Sequence, residues 1–134
     1  MTSFRRLAAT AAVPALVLLT ASPALAASGA PSGGRITGEW VRSLEGVDQS
    51  VTFAKDGSVS GDAGCNRIIG TYTVDESMID IGPLATTLMY CEGVMEAERA
   101  FLKALEKSTS FAVRNDRLRL YGPKGKVTVT LTRG

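Results

Sequence analysis

The sequence contains no histidine. Histidine is the usual base that activates a serine or cysteine nucleophile and a frequent zinc ligand, so both kinds of site lose their commonest component. Carboxylates remain, and Glu96 with Glu98 is the pair that could perform acid–base chemistry. Acidic residues are favoured in the first turn of a helix, and residues two apart point to different sides, so we interpret both as helix residues. We therefore expect no enzymatic activity, no catalytic residues, no cofactor and no bound metal.

Cysteine is almost as scarce, because Cys65 and Cys91 are the only two. They are too far apart in sequence for the Cys-x-x-Cys motif of redox proteins, and a zinc site would need further ligands that a chain without histidine does not readily supply. Two cysteines in a small exported domain are most simply a structural disulfide. Catalytic or metal-binding use of the two sulfurs is the alternative.

The sequence lacks an apolar run long enough to span a bilayer. The longest run, residues 7–19, falls short of the ~20 residues that a spanning helix needs, and Pro14 interrupts it. Arg5 and Arg6 precede this run and Ala24-Leu25-Ala26 follows it, which is typical of a secretory signal peptide cleaved after Ala26. A membrane anchor and the twin-arginine route are the alternatives. We expect general secretion, with no stable membrane anchor after cleavage.

The chain also lacks an excess of charge of either sign once the signal peptide is removed. The chain has 15 basic and 13 acidic residues, and loss of Arg5 and Arg6 leaves 13 of each. The charges alternate in sign along the chain and form no basic stripe with interleaved aromatic residues, so we expect no nucleic-acid partner. The Gly-, Ser-, Pro- and Ala-rich segment after the cleavage site predicts a flexible linker over residues 27–37.

Most of the remaining chain has the pattern of short strands separated by turns. In residues 127–132, apolar and threonine residues alternate with the period of two that strands show. Asp56-Gly57 and Asp75-Glu76 are predicted hairpin turns, and residues 122–125 form another turn. The predicted strands are residues 40–44, 51–55, 58–60, 68–74, 77–81, 111–113, 118–120 and 127–132.

One helix is predicted, over residues 94–107. Its apolar residues recur at helical spacing on one side, and its charged residues fall toward the other. The apolar set is Val94, Ala97, Phe101, Leu102 and Leu105. The sequence therefore predicts an α+β fold, a small antiparallel β-sheet or partly open β-barrel with one main helix packed against it.

Two blocks of sequence carry a family resemblance. The first is Gly64-Cys65-Asn66-Arg67 followed by Gly70-Thr71-Tyr72, and the second is residues 86–91 followed by Met95-Glu96-Ala97-Glu98. With Trp40 and Phe53 before them, they resemble the META domain, the family of the heat-shock protein HslJ. The resemblance covers residues 38–133, which we take as the domain. It implies the same fold and a stress-related role, but no general reaction.

Asn66 and Arg67 are candidate binding residues because they adjoin Cys65 in a glycine-flanked turn. Asparagine also tolerates left-handed backbone geometry and bonds to nearby backbone, which favours a structural role. Contact of Arg67 with a partner is the alternative. In the apolar connector before Cys91, Leu88 and Met89 are expected to cover the core, as small barrels are usually filled by side chains. If the barrel is instead partly hollow, Leu88, Met89, Phe101 and Trp40 would line a pocket for an acyl chain or another apolar ligand.

The leading functional hypothesis is a secreted, non-catalytic META/HslJ-like binding module, monomeric, with a protein partner in the envelope or the medium. A carrier of a small apolar ligand inside a β-barrel is the second hypothesis. Inhibition of a secreted protease or wall hydrolase is the third, although no reactive-site loop is evident in the sequence.

Overall fold

The computed structural model describes residues 35–134. The predicted signal peptide over 1–26 and the predicted linker residues 27–34 lie outside this described part. The elements within it are β1 (Gly38–Leu44), β2 (Val47–Phe53), β3 (Ser58–Asp62), β4 (Arg67–Asp75), β5 (Met78–Ile81), β6 (Ala85–Thr86), α1 (Met95–Lys107), β7 (Ser110–Arg114), β8 (Arg117–Tyr121) and β9 (Val127–Arg133).

The strands form one antiparallel sheet that closes on itself. Its order is β3-β2-β1-β9-β8-β7-β5-β4-β6, and β3 pairs in addition with β4. That pairing joins the first eight strands of the order into a ring, and β6 extends from β4 outside the ring. The pairing between β5 and β7 is short, with Met78 and Ser110 as its one pair of opposite residues. The predicted α+β class, an antiparallel sheet with one helix, is confirmed.

Inward-facing side chains of the ring form one hydrophobic core. Along β2, Val51 and Phe53 are buried at alternate positions, as the strand period requires. The helix α1 packs on β5 and β9 and adds Phe101 and Leu105 to the core. Phe53 meets Tyr72 edge to face at 4.9 Å between ring centroids. Fully buried aromatic residues therefore come from β1, β2 and α1: Trp40, Phe53 and Phe101.

The hairpin turns follow their local sequence. Gly57 adopts φ +92°, which glycine permits without strain, and the Asp56 carboxylate accepts a hydrogen bond from Ser58 N–H at 2.9 Å. Asn115 and Asp116 both have positive φ, 51° and 61°, as a two-residue hairpin turn between β7 and β8 requires. The short strand β6 was not predicted, because two residues are too few to show a period.

The fold begins before the predicted domain boundary at Gly38. Ile36 is fully buried in the core, and its carbonyl oxygen accepts a hydrogen bond from Trp40 Nε1 at 2.7 Å. Arg133 Nη1 donates to the carbonyl of Thr37 at 2.8 Å, and the Arg133 guanidinium lies 3.9 Å from the Trp40 ring centroid. Residues 35–37 thus belong to the domain and not to the linker, because the first large apolar side chain after the glycine-rich segment enters the core.

Ile36→Ala is expected to lower the free energy of unfolding by about 2–4 kcal/mol, because it removes buried methyl groups and leaves a cavity. Leu44→Ala is the matched control, since Leu44 is 46% exposed, and should change stability by less than about 0.5 kcal/mol. Urea unfolding followed by Trp40 fluorescence measures both. Equally small changes would place residues 35–37 outside the cooperative fold.

Candidate functional site

The disulfide predicted between Cys65 and Cys91 is present. Cys65 lies in the turn between β3 and β4, and Cys91 lies in the connector that leads from β6 to α1. Gly64, directly before Cys65, has φ +122° and sits against Val47 and Val94, where a side chain would clash. The bond therefore joins a tight turn to the segment that enters the helix.

A buried carboxylate organises this turn. Glu98 on α1 is only 4% exposed. Its Oε1 accepts hydrogen bonds from the backbone N–H groups of Cys65 at 2.9 Å and Asn66 at 2.7 Å, and its Oε2 accepts one from Asn66 Nδ2 at 2.7 Å. Both carboxylate oxygens are thus satisfied by the β3–β4 turn, which compensates for removing the charge from water. The interpretation of Glu98 as only a helix-terminus residue missed this role.

The environment of Glu98 lowers the pKa of its carboxyl group. Burial acts to raise the pKa of the Glu98 carboxyl, but the hydrogen bonds from the Asn66 amide and from the backbone N–H groups of Asn66 and Cys65 outweigh burial, with help from Arg99. The resulting pKa lies below the ordinary value for glutamate. Glu98 is therefore a stable carboxylate at neutral pH and is not poised to donate a proton.

Asn66 transmits this arrangement to the connector. Its Oδ1 accepts hydrogen bonds from Met89 N–H at 2.6 Å and from Thr87 Oγ1 at 2.7 Å, while Nδ2 donates to Met89 O at 3.0 Å as well as to Glu98. The side chain is almost fully buried, and its donors and acceptors are all in use. The geometry is that of a structural clamp and leaves Asn66 no group to offer a partner.

The clamp holds three large apolar side chains in solvent. Leu88 is 95% exposed, Met89 55% and Tyr90 76%. We call these three residues the apolar tip. Asn66 fixes the tip at Met89, and the disulfide fixes it at Cys91. The expectation that Leu88 and Met89 cover the core is wrong, because the backbone bonds to Asn66 direct this segment away from the sheet interior.

The structure does not bring together the predicted pocket residues. Phe101 projects from α1 and is fully buried in the core. The Arg42 guanidinium carbon lies 5.2 Å from the Phe101 ring centroid. Trp40 is fully buried as well, whereas Leu88 and Met89 are on the outside. An interior pocket lined by all four residues is therefore not formed.

Arg67 lies beside the base of the apolar tip. Its backbone N–H donates to Thr87 Oγ1 at 3.1 Å, and its carbonyl oxygen accepts from Thr87 N–H at 3.2 Å. The residue is exposed and stands directly opposite Asp62 on the neighbouring strand β3. Arg67 therefore adjoins the connector through its backbone, whereas Leu88 and Met89 are exposed further along it and Asn66 bonds to the Met89 backbone.

A second buried polar group holds the start of α1. Gln49 Nε2 donates to the carbonyl oxygens of Ala63 at 2.9 Å and Ala97 at 3.1 Å, and Gln49 Oε1 accepts from Arg42 Nε at 2.7 Å. Sequence reasoning missed Gln49. The available indication was its position, because it shares the inward face of β2 with Val51 and Phe53.

The carboxylate and sulfur groups at the base of the apolar tip are already engaged with one another or with the backbone. Within residues 35–134, no group of three or more histidine, cysteine, aspartate or glutamate side chains is arranged to hold a metal ion. Glu98 is fully engaged, and both sulfurs are in the disulfide. What the surface offers is an apolar tip whose backbone is anchored at Met89 and Cys91.

Comparison with known proteins identifies the type of domain. The family model described as the META domain matches residues 34–134. An NMR structure of a protein from Burkholderia xenovorans has 22% identity and a TM-score of 0.61, covering 81% of this chain and 94% of that one. A crystal structure of a DUF4847 family protein from Bacteroides vulgatus has 20% identity and a TM-score of 0.53, covering 64% and 59%. These likenesses show the fold. No curated protein matches the chain.

Glu98→Gln is expected to lower the free energy of unfolding at pH 7 by about 2–3 kcal/mol, since it weakens charge-assisted hydrogen bonds. The NH2 group of the new glutamine would also face an N–H donor of the turn. Asn66 cannot rotate its side-chain amide to present an acceptor, because its Oδ1 already accepts hydrogen bonds from Thr87 and Met89. Glu96→Gln, an exposed change in the same helical turn, is the matched control. A loss no larger than that of the control would contradict the role of the carboxylate.

The stability difference between the wild type and Glu98→Gln is expected to depend on pH. Because the folded-state pKa of Glu98 is lowered, its stabilisation is complete above the unfolded value of about 4.3 and is lost as the pH falls through the folded pKa. The stability difference between wild type and Glu98→Gln should therefore be largest near neutrality and shrink below pH about 4.3. Urea unfolding across this range measures it, and a constant difference would refute the assignment.

Replacing both cysteines by serine, Cys65→Ser with Cys91→Ser, should lower the free energy of unfolding by about 3 kcal/mol in the chain-entropy model. Thermal and urea unfolding measure the loss, and reduction of the wild type should reproduce it. The same reductant should leave the double variant unchanged. An unaltered stability in the double variant would show that the hydrogen bonds of Glu98 and Asn66 hold the turn alone.

Proposed function

The chain belongs to the META domain family, as its sequence motifs indicated, and we propose that it is a non-catalytic binding module acting outside the cytoplasm. The Cys65–Cys91 disulfide fits an oxidising compartment. Export by a signal peptide over residues 1–26 is part of the proposal. In the described part of the chain, no helix is long and apolar enough to cross a membrane.

The observation that carries the proposal is the exposure of the apolar tip. Leu88, Met89 and Tyr90 are consecutive, and all three are more than half exposed. A run of exposed apolar residues lowers solubility and adds nothing to the core, so in a folded domain it calls for a functional reason. Aromatic residues and methionine are enriched at protein interfaces. The tip therefore has the composition of an interface centre.

The anchoring of the tip supports binding in a second way. A loop that is ordered before association loses less conformational entropy when it binds. Here the order comes from the Asn66 bonds to Met89 and from the disulfide at Cys91, neither of which uses the tip side chains. Leu88 and Tyr90 thus stay available while their backbone is held.

The proposed partner is an envelope or extracellular protein with an apolar recess that receives Leu88 and Tyr90. Arg67 would lie at the polar rim of this contact, where a charge steers association more than it strengthens it. A stress-related role rests on the family resemblance alone and is part of the proposal.

The other hypotheses fare differently. Carriage of an apolar ligand inside the ring loses support, because Leu88 and Met89 face solvent and Phe101 fills the core. Inhibition of a secreted protease or wall hydrolase stays as a second candidate, since a loop tied on both sides resists the motion that cleavage requires. It is a special case of protein binding through the apolar tip.

The test is capture of a partner from the envelope fraction and medium of the producing cells, with the purified protein as bait. Leu88→Ser with Tyr90→Ser should reduce recovery of the partner about tenfold or more, as expected for central interface residues. Leu44→Ser with Val127→Ser is the matched control, because both residues are about half exposed elsewhere, and should leave recovery unchanged.

Each outcome of this capture is informative. Recovery of one protein with the wild type and the control, but not with the tip variant, supports the proposal. Recovery of no protein, or equal recovery with the tip variant, contradicts it. Binding of neutral lipid vesicles that the tip variant loses would replace the protein partner by a membrane surface.

A further inference from the structure

Three arginines lie together on the outer face of the β7–β8 hairpin. Arg117 and Arg119 alternate along β8 with the buried Leu118 and Leu120, so they face solvent. Arg114 on β7 is exposed and stands directly opposite Arg117. We call Arg114, Arg117 and Arg119 the arginine face. The three arginines lie within six consecutive residues, and the hairpin places all of them on one face.

The arginine face has no compensating charge. In the described part of the chain, none of the three side chains makes an ion pair or a hydrogen bond to another residue. Asp116, in the turn of the same hairpin, is exposed and forms no ion pair with them. Like charges directly opposite each other on neighbouring strands destabilise a sheet. The hairpin therefore carries a repulsion that a bound anion would relieve.

The arginine face also encloses a space. A concave surface of about 440 Å³ is lined by Ala112, Arg114, Asn115, Arg117, Arg119 and Tyr121. Ala112 lies opposite Arg119, so a small side chain forms part of the floor among longer ones. The amide of Asn115 and the hydroxyl of Tyr121 add neutral donors to the guanidinium groups.

We propose that the arginine face is a binding site for a phosphate group carried by an anionic ligand. Directly opposite residues on paired strands have Cβ atoms about 5 Å apart, and diagonal neighbours lie about 7–8 Å apart. Three long side chains at that spacing can converge on one tetrahedral anion. Guanidinium groups bind phosphate oxygens in pairs, which gives arginine an advantage over lysine at such a site.

A phosphate fits this face better than a single carboxylate. A carboxylate offers two free oxygens and one charge, whereas a terminal phosphate offers three free oxygens and up to two charges to three guanidinium groups. The phosphate could belong to a soluble ligand or to a lipid headgroup. The chemistry is shared, and the experiment separates the two sources.

The test titrates the purified protein with inorganic pyrophosphate, and separately with phosphatidic acid vesicles, whose headgroup is a terminal phosphate, against phosphatidylcholine vesicles. Pyrophosphate should shift the backbone amide resonances of residues 112–121, and added salt should weaken the binding. Arg117→Gln with Arg119→Gln should raise the dissociation constant about tenfold or more. Lys55→Gln with Lys103→Gln removes the same charge from exposed sites elsewhere and should change it less than about twofold.

The stability of the glutamine variant separates binding from folding, and one further variant separates hydrogen-bond geometry from charge. Arg117→Gln with Arg119→Gln should leave the unfolding midpoint unchanged or raise it, because it relieves like-charge repulsion. Arg117→Lys with Arg119→Lys keeps the charge but loses paired hydrogen bonding, so its dissociation constant should fall between those of the wild type and the glutamine variant.

The possible outcomes decide both the proposal and the source. Binding of pyrophosphate alone identifies a soluble phosphate ligand, and binding of phosphatidic acid vesicles identifies a headgroup. Absence of binding to either at low salt overturns the proposal. Equal weakening of binding in the control variant Lys55→Gln with Lys103→Gln overturns it too, since the attraction would then reflect net charge and not the arginine face.

Discussion

The buried carboxylate of Glu98 is the group on which the rest of the site depends. An uncompensated buried charge would be among the most destabilising features a small domain could contain. The β3–β4 turn supplies three hydrogen bonds to it, from Cys65, Asn66 and the Asn66 amide. The turn can do so only if its two N–H groups point at the helix, so turn and helix fix each other. The disulfide at Cys65 then extends the same constraint to the connector.

Two buried polar side chains, Glu98 and Gln49, set the position of α1 together with apolar packing. Glu98 accepts hydrogen bonds from Cys65 and Asn66, and Gln49 donates to the carbonyl oxygens of Ala97 in α1 and Ala63 beside the same turn. Phe101 and Leu105 further along the helix complete the core. Hydrophobic contact is tolerant of small shifts, whereas these hydrogen bonds require defined distances and angles. The apolar tip, anchored to Asn66, therefore projects from a frame that has one geometry.

Period and turn chemistry made most of the fold predictable. Val127, Val129 and Leu131 show a strand period, and Asp56-Gly57 shows its turn, because both signals are local. The disulfide followed from the scarcity of cysteine. The direction of the apolar tip could not be predicted, since it depends on the Asn66 side chain, which meets Met89 only after the chain has folded. The role of Glu98 was partly visible, because Glu98 shares a helical face with Phe101 and Leu105.

Two surfaces of this domain work against its stability in isolation. The apolar tip exposes side chains that the core could have used, and the arginine face places like charges opposite each other. A domain of this size has only a small margin of free energy, so features that reduce it are retained where they have a use. The two surfaces also lie in different parts of the chain, the tip in the connector after β6 and the arginine face on β7 and β8. The ligands proposed for them are of opposite chemistry, apolar and anionic, and no side chain of either surface bonds to Glu98 or Asn66.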